Sequence, residues 1–90
     1  GIEMIYYSTF QNIIMTHSGI VEKNGFEYID VHFERPNKSG FDFLNLVMPG
    51  EFVTGSYGFS EDEILELKDY AKDNEPLVWE LAREGGSDHA

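Results

Sequence analysis

Six consecutive residues, Phe59-Ser60-Glu61-Asp62-Glu63-Ile64, spell out the start of a helix. The Ser60 hydroxyl can accept a hydrogen bond from the Glu63 backbone N–H, and the Glu63 carboxylate can reach back to the Ser60 N–H. Phe59 and Ile64 hold the flanking apolar positions of a hydrophobic staple. The acidic first turn suits the positive end of the helix dipole. This signal divides the chain, with strand-like sequence before it and helical sequence after.

The strand half reads through its turns. Asn24-Gly25 tolerates the positive φ angles of a type I′ turn, so a hairpin is predicted around it. Ile29, Val31 and Phe33 then alternate with Asp30, His32 and Glu34, the period of a strand with one buried face. Residues 35–40 form a turn, residues 41–48 a further strand, and Pro49-Gly50 leads into residues 51–56. Residues 2–10 add an edge strand or a short helix.

Pairing Lys23 with Phe26 sets Ile20 opposite Ile29 and His17 opposite His32, unless a bulge at Gly19 changes the register. The next hairpin is expected to pair Val31 with Leu44, Ile29 with Leu46 and His32 with Phe43, with Leu46 beside Val53. One sheet face then carries Ile20, Ile29, Val31, Phe33, Leu44, Leu46 and Val53 and forms the core.

In the helical half, Ile64, Leu67 and Ala71 share a side up to Asn74, which can end a helix. Pro76 suits the first turn of another, with Leu77, Val78, Leu81 and Ala82 apolar and Trp79 at the edge of that stripe. Gly85-Gly86 ends it. The expectation is a single α+β domain over residues 1–86: a four- to five-stranded antiparallel meander followed by two C-terminal helices packed on one face. Residues 87–90 are a disordered tail.

Composition narrows the function classes. A 90-residue chain has room for one core, and 41% hydrophobic residues suffice for it. The absence of cysteine removes disulfides and Cys-ligated metals. Seventeen acidic against six basic residues give a formal charge of −11, which opposes binding to phosphate backbones or anionic membranes. No segment resembles a secretion signal, and no apolar run approaches the roughly 20 residues of a membrane span. A cytoplasmic protein without nucleic-acid or membrane partners is expected.

The second sheet face carries the functional expectation. Tyr28, Phe41, Phe43, Val47 and Phe52 fall on it, with Asp30, His32 and Asn45 among them. A sheet covered by helices on one side should be mostly polar on the other. Two compatible readings account for it: the N-terminal segment, with Ile5, Tyr6, Tyr7 and Phe10, folds over this face, and the face is an interface. The leading reading is a non-enzymatic protein-interaction or self-association module, binding a protein partner or a second copy without a cofactor. Its anchors are Tyr28, Phe41, Phe43 and Phe52, with Trp79 at the rim.

Two alternatives belong to other classes. His17, Asp30, His32 and Glu34 could ligate a divalent ion in a small metal-dependent enzyme or binder. Strand neighbours on one face lie about 6.6 Å apart, however, which is wide for sharing one ion. The acidic balance could also mimic a nucleic acid toward a basic partner. The three glycines of residues 50–58 match no phosphate-binding loop, and Ser56 and Ser60 lack the context of a hydrolase nucleophile.

Overall fold

The computed structural model describes residues 3–88. Its elements are β1 (Met4–Phe10), β2 (Ile13–Ser18), β3 (Val21–Lys23), β4 (Phe26–Asn37), β5 (Gly40–Met48), β6 (Phe52–Tyr57) and α1 (Glu61–Asp88). The six strands form an antiparallel sheet in the order β1-β2-β4-β5-β6, and β3 pairs with β4. The class is α+β, as expected, with six strands where four or five were expected.

The expectation of two helices is overturned. Leu67, Ala71, Val78 and Ala82 all enter one core, and the steps from Leu67 to Val78 and from Ala71 to Ala82 each span about three turns. The apolar stripe therefore keeps its phase across Pro76, which sits on the exposed side of α1. Asn74 does not stop the helix. Its Nδ2 donates to the Tyr70 carbonyl (2.8 Å), while its Oδ1 accepts from the Tyr7 hydroxyl (2.6 Å). The helix also passes through Gly85 and Gly86 to Asp88. Residues 89 and 90 of the expected tail lie outside the described residues.

Residues 4–10 are strand β1, at one edge of the sheet. Gln11 and Asn12 both adopt positive φ (48° and 64°) and make the tight turn into β2. The expected Asn24-Gly25 turn is present, with φ of 53° and 82°.

Two registers differ from expectation, with unequal consequences. Between β4 and β5 the pairs are Val31 with Leu46, Ile29 with Met48 and His32 with Asn45, a slip of two residues from the expected pairs. It arises because β4 continues through Pro36, which pairs with Phe41. Side chains alternate with period two, so this slip leaves every face unchanged. At Gly19 the shift is a single residue. Ser18, Gly19 and Ile20 lie between His17–Val31 and Val21–Tyr28, where β4 offers only Ile29 and Asp30. His17 consequently pairs with Val31, not His32, and changes face.

The core lies between α1 and one face of the sheet. Met15, Ile29, Phe33, Leu44 and Met48 are fully buried against Leu67, Ala71, Val78 and Ala82. Burying each large side chain is worth about 1.5–3 kcal/mol. Ile20 is half-buried against this core, whereas Val53 stays 42% exposed beside Leu46 on the edge strand.

The helix start forms as read. Glu63 N–H donates to Ser60 Oγ (3.1 Å), and Ser60 N–H donates to Glu63 Oε1 (2.8 Å). The Glu63 carboxylate also accepts from Arg35 Nη1 (2.6 Å), whose Nε donates to Asp42 (2.8 Å) and whose guanidinium lies 4.4 Å from the Phe59 ring centre. Arg35 thus ties β4, β5 and the first turn of α1 together.

Candidate functional site

Alternation gives the face turned away from α1 its contents. From the β4–β5–β6 pairs, one row holds Glu34, Phe43 and Tyr57, the next His32, Asn45 and Gly55, and the next Asp30, Val47 and Phe52. Thr16 and Tyr6 continue the middle row onto β2 and β1. The N-terminal segment does not cover this face, because it is the edge strand itself. No described element packs over it.

The aromatic side chains stand where the alternation put them. Phe41 is 55% and Phe52 68% exposed, while Tyr28 and Phe43 are half-buried. Phe43 stacks between two rings, His32 at 6.3 Å and Tyr57 at 6.5 Å between centres. The Phe52 ring lies against the backbone of Gly50, where a Cβ would come within 2.5 Å of it. Trp79 does not belong with these anchors. It is on α1, half-buried against the core, and its Nε1 donates to Glu75 Oε2 (3.0 Å). The expected rim position is corrected accordingly.

Tyr57, 65% exposed, was not foreseen on this face. Simple alternation from Phe52 would have turned it inward. The register between β5 and β6 shifts at Asn45/Leu46, where Thr54 is the extra residue, and this returns Tyr57 to the outer side. Gly55 was the sequence sign of such an irregularity. Tyr6, Ile14, Phe26 and Met4 are also exposed on β1, β2 and β4.

The four proposed metal ligands are not brought together. Asp30, His32 and Glu34 share the outer face, but the shift at Gly19 puts His17 in the core, fully buried. His17 Nδ1 donates to the Ser18 carbonyl (2.8 Å), its Nε2 has no partner, and Tyr7 meets the ring edge-on at 6.0 Å. Burial holds its pKa below the usual histidine value. The His32 imidazole is engaged on both nitrogens, by Asn45 Oδ1 (2.5 Å) and Glu34 Oε1 (3.1 Å). Among the described residues no group of three or more His, Asp or Glu side chains is placed to hold a metal ion.

A groove of about 410 Å³ crosses the outer face, lined by Met4 of β1, Asp30, Val31 and His32 of β4, Asn45 and Leu46 of β5, and Thr54 of β6. Ligand sites of this size are common in proteins. On the α1 side, Glu51 faces a cavity shared with Lys68, Asp69, Lys72 and Glu75. Glu51 is 5% exposed. Burial and the adjacent Glu75 carboxyl push its pKa up to about 7, against the pull of Lys72 and Lys68.

Among the described residues no helix is long and apolar enough to cross a membrane. No protein-family model, no curated protein and no solved structure matches the chain.

Proposed function

We propose that the chain is a non-enzymatic interaction module whose outer sheet face takes a protein partner. One observation carries the reading: Phe41, Phe52 and Tyr57 are more than half exposed on a face that no described element covers. Large apolar side chains left exposed on one face mark interaction sites, and interface energy concentrates in aromatic anchors set among polar neighbours. Phe43, stacked between His32 and Tyr57, is the central anchor; Phe41 stands one row away, and Phe52 and Tyr28 lie further along the same face. The metal-dependent reading loses His17 from its ligand set. The nucleic-acid mimic rests on net charge alone.

The test compares the parent chain with Phe43→Glu. Phe43 is outside the core, so the variant should fold. The reading expects the parent to form a dimer or retain a partner from a lysate of its source, and Phe43→Glu to weaken that association at least tenfold. A parent chain that is monomeric at roughly 0.5 mM and retains nothing that the variant does not would remove the reading.

A further inference from the structure

We propose that the groove across the outer face receives an extended, arginine-bearing segment of a basic partner protein, an inference that rests on the docking role assigned to this face above. The groove runs from Met4 on one edge strand to Thr54 on the other, across β4 and β5. Four strand spacings make that path about 19 Å, the reach of roughly six extended residues. Asn45 of the middle row lines the groove together with His32 and Asp30, while Phe43 and Tyr57 stand in the row beside it and outside the lining.

The chemistry of the lining selects the occupant. The Asp30 side chain makes no hydrogen bond among the described residues, although its backbone N–H is held by Ser18 Oγ (2.9 Å). A carboxylate with no partner among the described residues, in a groove otherwise lined by neutral and apolar side chains and His32, fits a guanidinium. Its planar fork pairs with the carboxylate through parallel N–H donors. Asn45 and Thr54 add neutral hydrogen-bonding groups. Glu34 lies one row away, and a net charge of −11 steers cations toward the chain.

A second copy is the weaker fit. Two copies carry equal negative charge, which opposes their association and favours a basic partner.

The probe is acetyl-(Gly-Arg)3-amide, with the citrulline peptide acetyl-(Gly-Cit)3-amide as its uncharged counterpart. Amide resonances of the full chain are followed during titration at low salt. The expected result is movement of the Asp30, His32, Asn45 and Gly55 signals by the arginine peptide, with binding at least tenfold weaker for the citrulline peptide and at least threefold weaker for Asp30→Asn. That variant should fold, since the carboxylate has no hydrogen-bond partner among the described residues, and a circular dichroism spectrum checks it. Equal binding of the two peptides, shifts confined to the acidic surface of α1, or no effect of Asp30→Asn overturns the inference. So does a homodimer that Phe43→Glu dissociates and the arginine peptide does not compete with. In that last case the face still docks, and only the identity of its occupant is wrong.

Discussion

Asp42 occupies the space that a side chain at position 58 would need. Gly58 has φ of +86°, and a Cβ built there would overlap the Asp42 carboxylate. The same carboxylate accepts from Arg35 Nε (2.8 Å) and Asn37 Nδ2 (2.7 Å), which holds its pKa below the ordinary aspartate value, Asn37 contributing most. Backbone conformation and an ion-pair cluster therefore demand glycine at one position. We expect Gly58→Ala to destabilise the chain by about 2–3 kcal/mol, more than the strain of a positive φ alone. Urea unfolding measures it, and a loss below about 0.5 kcal/mol would show that Asp42 yields freely.

At the scale of elements, α1 shows both how far sequence reasoning reaches and where it stops. The start was legible because Ser60 and Glu63 satisfy each other locally, with no tertiary contact needed. The continuation through Pro76 was not, because a proline reads as a boundary unless the buried stripe is followed through it. Leu67, Ala71, Val78 and Ala82 keep one phase, and the sheet they pack on outweighs the missing N–H. The sheet teaches the same lesson. Alternation put Ile29, Val31, Phe33, Leu44 and Leu46 in the core and Phe41, Phe43 and Phe52 outside it, and survived a two-residue error in register. The single extra residues at Gly19 and Thr54 could not be located by alternation, yet they decide the faces of His17 and Tyr57. Pro76→Ala restores a donor for the Lys72 carbonyl. It should stabilise the chain by about 1–2 kcal/mol, less than the roughly 3 kcal/mol of an unaccommodated interior proline. Thermal unfolding decides, and a lower midpoint would mean that packing on the sheet depends on the local geometry Pro76 imposes.

For the whole molecule, charge and fold meet in the pH dependence of stability. The carboxyl of Glu51 is raised from 4.5 to about 7. Its stabilising contribution is complete below about pH 4.5 and is lost as pH rises through 7. Self-repulsion of a chain with eleven excess negative charges grows in the same direction. Glu63 behaves oppositely. Arg35 first, and then the Ser60 backbone N–H, lower its pKa to about 2, so its contribution is present above about pH 4.5 and disappears as pH falls toward 2. Asp42, lowered by Asn37 and Arg35, adds to that acid limb. The two limbs place maximal stability near pH 5, on the acid side of neutrality. Raising one carboxyl from 4.5 to about 7 is worth at most about 3 kcal/mol. Glu75 is only half-buried and water screens it, so about 1–2 kcal/mol should be gained between roughly pH 7.5 and pH 5. Glu51→Gln keeps a neutral hydrogen-bonding group there at every pH. It should stabilise the chain by that amount near pH 7.5, change little near pH 5, and flatten the neutral limb of a chemical-denaturation profile. A variant less stable than the parent near pH 7.5 would show that the ionised Glu51 is held by Lys68 and Lys72 instead of being opposed by burial and Glu75.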